Sequence, residues 1–272
     1  ERRGIITHVS RGSRTKETRV EGSVLWPIPL NTPFGRQKKM TPNKKPVPKA
    51  YRGRIAPTPS GWLHLGHAAT FGLAWARARE QKGTLIYRTE DLDPARCRPE
   101  YDEGALVDLR WWGLDWDEGP DIGGPLAPYR QSQRMELFQD VFMKLRATGC
   151  VYPCLISRKE IRAAGPAPSP VNGDPVFPKA LRPTAPHKAD THAGQEVNWR
   201  FRVPDGETIS FTDERLGKKT YLAGRDFGDF LVWRRDGMPA YELAVVVDDH
   251  AMEISEVVRG EDLLISTARQ LL

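Results

Sequence analysis

His64 and His67, separated by Leu65-Gly66 and preceded by Pro57-Thr58-Pro59-Ser60-Gly61, are the first residues of the chain whose types and spacing suggest chemistry. A Pro-rich turn leading into His-x-Gly-His at a helix start can gather two imidazoles and several backbone N–H groups where a phosphate would sit. The helix N-terminus attracts anions, and Gly66 lets a nucleotide come close. The same rings also suit a local helix cap or a surface position. A second block, Arg88-Thr89-Glu90-Asp91-Leu92-Asp93-Pro94-Ala95-Arg96, follows a strand-like run directly. It falls at the rim where open α/β sheets bind ligands, and reads equally as a turn of mutually neutralising charges. A third runs from Pro239 to His250 and from Glu256 to Leu263. A buried Arg259 there could clamp a carboxylate with two parallel hydrogen bonds, or pair structurally with Glu261 or Asp262. No Gly-x-x-x-x-Gly-Lys or Gly-x-Gly-x-x-Gly is present, so P-loop, kinase and ordinary dinucleotide readings lose their support.

Elements must hold these blocks in place. A strand-like entry at Arg54, helix composition over Ala68–Lys82, a stop at Gly83 and a strand over Thr84–Arg88 make a β-loop-α-β unit. That unit builds a doubly wound parallel sheet, so the predicted class is α/β, Rossmann-like, with a smaller α+β subdomain inserted. Helices are predicted over Tyr101–Trp112 and Gln133–Thr148, and strands over Asn198–Val203, Thr208–Thr212 and Phe230–Arg234. Ala163–His192, rich in Pro, Ala and Gly, reads as an irregular insertion. The apolar run Leu243–Val247, closed by Asp248-Asp249-His250, predicts a buried parallel strand whose carboxyl end faces a site. The expected divisions are a basic, disordered extension at 1–50, a first catalytic half at 51–148, an inserted subdomain resembling an acceptor-end binder at 149–225, and a second, incomplete half at 226–272.

The 272 residues carry a net charge of +6, and it is concentrated at the front. Residues 1–50 hold twelve Lys or Arg against three acids, a net +9 that exceeds the whole chain's +6 by three, so the other 222 residues carry −3. Any RNA contact of the folded body must then come from a local basic face. The front segment is consistent with a basic RNA-binding arm, an organelle-targeting segment, or sequence upstream of a natural start at Met40. No run approaches the roughly 18 apolar residues of a spanning helix, so no membrane role is expected. The three cysteines, Cys97, Cys150 and Cys154, form no paired framework, which points to a reducing compartment and a cytoplasmic location.

Ala56-Pro-Thr-Pro-Ser-Gly-x-Leu-His-Leu-Gly-His67, together with the Arg88 block, Tyr129-Arg130-Gln131-Ser132-Gln133-Arg134 and the third block, resembles the class I glutamyl- and glutaminyl-type aminoacyl-tRNA synthetases over nearly all of 54–272. The resemblance implies attack of an amino-acid carboxylate on the α-phosphate of ATP, chemistry that depends on positioning and on stabilising phosphate charge. It assigns His64 and His67 a catalytic role on the phosphates, and Pro59, Gly61 and Gly66 to the ATP site beside them. Arg54, Ile55, Ala56, Pro57, Thr58, Glu90, Tyr241 and Arg259 match positions that bind L-glutamate, with Glu90 on the α-amino group. ATP brings magnesium.

Gly224-Arg-Asp-Phe-Gly-Asp-Phe230, Trp233 to Gly237 and Ser266-Thr-Ala-Arg-Gln270 are most similar to the glutamyl-Q type, which attaches glutamate to the queuosine base of tRNA(Asp). An ordinary enzyme charging tRNA(Glu) and a non-catalytic RNA- or amino-acid-binding module are the alternatives, and a monomer is expected. Two departures from the family pattern stand out. The zinc ligands that many members carry in the insertion are replaced here by Cys154-Leu155-Ile156 and Phe177–Leu181, so Cys154 alone remains; no metal site is expected, and packing should hold the insertion. The family's Lys-Met-Ser-Lys-Ser-like loop would lie beyond Leu272, so the chain as given should bind better than it catalyses.

Overall fold

A computed structural model of the chain describes residues 4–8, 50–183 and 196–272. Two strands, β2 (Arg52–Ile55) and β3 (Thr84–Tyr87), pair in parallel, Arg52 opposite Thr84 and Ile55 opposite Tyr87. The helix α1 (Leu65–Glu80) crosses between them, which is the predicted β-loop-α-β unit. The helix starts earlier than its Ala-rich composition indicates because His64 caps it. Parallel pairing extends past β3: Ile86 bridges Glu118 and Thr89 bridges Arg130. On the far side of β2, Ser255 N–H donates to the Arg52 carbonyl at 2.9 Å, bringing in β9 (Val257–Gly260). Ile55, Phe71, Ala74, Leu85, Tyr87 and Leu109 make the core of this half, under α1 and α2 (Pro99–Trp111).

A second core joins α3 (Met135–Ala147) to the antiparallel sheet β4-β5-β8, formed by Val151–Cys154, Asn198–Phe201 and Phe230–Trp233. Rings dominate it: Phe142 stacks on Trp233 with centroids 4.6 Å apart, and Phe201 on Phe230 at 5.3 Å. The hairpin β6–β7 (Thr208–Asp213, Gly217–Leu222) is joined through β1 (Gly4–His8) to β9. That strand lies within 1–50, where sequence alone predicts none; the rest of that extension, Met40 included, lies outside the described residues. So does the end of the predicted insertion, 184–192, while 164–183 carries a bridge between Pro168 and Pro175 and a short 3-10 turn at Lys179–Leu181 after α4 (Arg158–Ala163). Strand β8 falls in the stretch 226–272 yet completes the sheet of the inserted region.

One predicted element is wrong in kind. Leu243–Val247 is not a parallel strand but part of the helix α5 (Tyr241–Ala251). The β-branched run favours a strand, but Asp248 and Asp249 must both reach arginines of the interior. Asp248 accepts from Arg134 Nε at 2.7 Å and Asp249 from Arg88 Nη1 at 2.6 Å. Successive side chains point to opposite faces of a strand, whereas in a helix neighbours are offset by about 100° and can share a side. The last helix, α6 (Leu264–Gln270), packs on α5 and β9.

Candidate active site

The ladder that pairs β2 with β3 continues beyond both strands: Arg88 N–H donates to Ile55 O and Glu90 N–H to Pro57 O, each at 2.9 Å. Glu90 is thereby set beside the Pro-rich turn at the carboxyl ends of the parallel strands, where open α/β sheets hold ligands. A cavity of about 570 Å³ opens there. Arg54, Ala56, Pro57, Thr58 and Gly61 line one side and His64, Gly66 and His67 the helix end. Glu90, Tyr241 and Arg259 complete the wall from the second and third sequence blocks. Two predicted residues do not line it. Ile55 is fully buried among Phe71, Leu85 and Tyr87, because strand alternation turns it away from Arg54. Pro59 is buried in the turn, and its carbonyl accepts from Arg98 N–H at 2.9 Å.

The histidines cap the helix and also face the cavity. His64 Nδ1 accepts from Gly66 N–H at 3.1 Å, and His67 Nδ1 accepts from His64 N–H at 3.3 Å. The rings stack with centroids 3.9 Å apart. With both Nδ1 atoms accepting, the neutral rings carry their proton on Nε2. Burial, then the neighbouring His64, hold the His67 imidazole below its usual pKa, which keeps it a neutral donor. A Cβ at Gly66 would meet His64 Cε1 at 2.9 Å, so glycine here is fixed by the ring beside it.

Behind Glu90 lies a set of charges that the sequence motifs do not reveal as a unit. Arg88, without exposed surface, donates to Glu90 Oε1 at 2.8 Å and to Asp249 Oδ1 at 2.6 Å. Arg54 Nε lies 3.4 Å from the same Asp249 oxygen, and its Nη1 donates to Val258 O at 3.1 Å. Burial pushes the Glu90 carboxyl up, against the pull of Arg88. For Asp249 burial acts the same way, but Arg88 and Arg54 outweigh it and hold the carboxyl below the usual range. A cationic group entering the cavity next to Glu90 would therefore stabilise its ionised form. Arg259 hydrogen-bonds neither Glu261 nor Asp262; its partners are Gln270 and Thr267. Trp62, Thr70, Phe71, Val258 and Leu263 also line the cavity. Arg88 follows an apolar strand directly in sequence, the one signal that could have marked it as buried, and nothing local marks Trp62.

A parallel strand–helix–strand unit whose cavity opens beyond the strands' carboxyl ends defines a Rossmann-like α/β domain. Residues 50–272 match the family described as tRNA synthetases class I (E and Q), catalytic domain, and the chain belongs to that family. It is 49% identical over 223 residues to a glutamyl-Q tRNA(Asp) synthetase of Symbiobacterium thermophilum, covering 81% of this chain and 68% of the relative. It is 44% identical over 249 residues to a glutamate–tRNA ligase of Streptomyces griseus, covering 89% of this chain and 47% of that one. Among solved structures, the glutamate–tRNA synthetase of Elizabethkingia anophelis superposes with a TM-score of 0.71 at 29% identity, over 82% of this chain and 47% of the other. The chain thus spans about two thirds of the glutamyl-Q relative and about half of the ligases.

Proposed function

We propose that the chain activates L-glutamate with ATP to glutamyl-adenylate and transfers the glutamyl group to the queuosine base of tRNA(Asp), as a cytoplasmic monomer. The observation that carries this reading is the convergence of three separated sequence blocks on one cavity, with neutral imidazoles at one end and Arg259 at the other. His64 and His67 would donate from Nε2 to ATP phosphates as charge develops, beside the N-terminus of α1. Glu90 would hold the α-ammonium, and Arg259 with Tyr241 the side-chain carboxylate. Arg54, Ala56, Pro57 and Thr58 would shape the amino-acid end, and Gly61 and Gly66 the nucleotide end. ATP would enter with its magnesium as substrate.

No zinc is needed in this reading. Cys154 packs with Tyr152 and Phe177 against Ile156, Ile161 and Leu181, a set with too few donors for a four-coordinate ion. The domain divisions expected from the sequence belong to the same proposal.

Glutamate-dependent ATP–pyrophosphate exchange, with and without tRNA, tests the reading. Exchange without tRNA, followed by glutamate transfer to queuosine-bearing tRNA(Asp), is the expected result. The similarity to glutamate–tRNA ligases over 89% of the chain favours one alternative, an enzyme charging tRNA(Glu). Exchange only with that tRNA would select it, and ligand binding without exchange would select a binding module.

A further inference from the structure

Four arginines are buried around the cavity and the charges behind it: Arg54, Arg88, Arg134 and Arg259. The first three reach a carboxylate, on Asp249, on Glu90 with Asp249, and on Asp248. Arg259 does not. It is 7% exposed. Its Nη1 donates to Gln270 Oε1 at 2.8 Å, its Nη2 donates to Thr267 Oγ1, and its Nε is without a partner. Thr267 is in turn anchored on the Leu263 carbonyl at 3.2 Å, and itself sits on α6 one turn before Gln270. Of the nearby carboxylates, Asp249 is held by Arg88, while Glu242 uses Oε1 for Ser266 and Arg269 and leaves Oε2 buried without a hydrogen bond; the Arg259 charge lowers the pKa of both, but it hydrogen-bonds neither.

A buried guanidinium carries five N–H donors and cannot give up its proton, so without a directly paired carboxylate its charge is only partly compensated in a poorly solvated setting. Two of the five donors are used, both on neutral oxygens, and the side chain lines the cavity. We propose that Thr267 and Gln270 are positioning residues that set the charge preference of the site: by orienting Arg259 through a neutral hydroxyl and a neutral amide, they leave it without a hydrogen-bonded carboxylate, open to an anionic ligand side chain, and so favour a carboxylate over the matching carboxamide. This deepens the proposed function and rests on it. A carboxylate in place of either partner would still orient the guanidinium but neutralise it, and would repel an incoming carboxylate across a short distance. A merely structural role predicts something else: loosening α6 weakens every ligand in parallel.

The test is calorimetric titration of the whole chain with L-glutamate and with L-glutamine, comparing the ratio of their affinities. The unaltered chain should prefer glutamate. Gln270→Glu should weaken glutamate by about tenfold or more while weakening glutamine less, so the ratio collapses. Gln270→Met, which removes the acceptor without adding charge, should lower both affinities and keep the ratio, and Thr267→Ser should behave as the unaltered chain. If Gln270→Glu does not fold, Thr267→Asp brings the charge to the other nitrogen with the same expectation. A preference for glutamate that survives both acidic substitutions overturns the inference and leaves the functional reading intact. An unaltered chain that binds neither amino acid, or both equally, overturns that reading and the inference with it.

Discussion

Two clusters of buried charge, one behind the cavity and one inside the inserted region, are built from the same residue types and end differently. Behind the cavity, Arg88 is shared between Glu90 and Asp249, and the cluster opens onto the cavity through Glu90. In the inserted region Asp229 is closed on every side. It accepts from Arg182 at 2.7 Å through two nitrogens, from Tyr152 OH at 2.7 Å and from Val203 N–H at 2.9 Å. It does not line the cavity that Glu90 faces. A carboxylate whose acceptor sites are all filled is a staple; one left facing a cavity with its pKa pushed up by burial is available to a ligand.

The largest effect that could break this comparison is Arg88→Met. It leaves Glu90 and Asp249 without their main partner and should cost about 3–5 kcal/mol in urea unfolding, with glutamate binding lost even where the fold persists. Next comes Asp229→Asn, expected at about 2 kcal/mol because Arg182 keeps Asp205. Its damage should be local: amide exchange should speed in β4, β5 and β8 while β2 and β3 stay protected, and uniform loosening would mean the two clusters are not separable. His67 gives a smaller effect. Its folded-state pKa is lowered, so the unfolded chain takes the proton first. Stability is then unaffected above about pH 6.5 and falls below it, by well under about 1 kcal/mol at a half-buried ring. His67→Asn should flatten that acid-side slope in thermal melts at pH 5 to 7. The smallest effect is no effect: a chelator should leave the melting temperature unchanged if Asp229, rather than a metal, holds the inserted sheet.

The cavity was legible in the sequence because its residues cluster in short blocks with fixed local roles, as with His64, Gly66 and His67 around a helix start. Of the thirteen residues singled out in the sequence, all but Ile55 and Pro59 line this cavity. What stayed hidden depends on contacts distant in sequence. Asp248 and Asp249 look like a strand end until Arg134 and Arg88, more than a hundred positions earlier, require both on one side. Thr267 and Gln270 fall in the stretch Ser266–Gln270 that the resemblance picked out, but their role stayed hidden, since neutral side chains on a short helix acquire meaning only from Arg259 beside them. Strands β4 and β7 were missed because their pairing partners, not their own patterns, define them.

The joint between β8 and α5 has a consequence for how the molecule could be shortened. Trp233 bridges Pro239, and Ala240 N–H donates to Val232 O at 2.9 Å, one residue before Tyr241 enters the cavity wall. The inserted sheet and the amino-acid end of the cavity are thus welded at a single strand. Excising the sheet as a cassette would remove the anchor of Tyr241, and the stretch 164–183 is itself tied to that sheet, through Phe177 on Cys154 and Arg182 on Asp229. Shortening this region would therefore have to spare Phe177 and Arg182 as well as the joint.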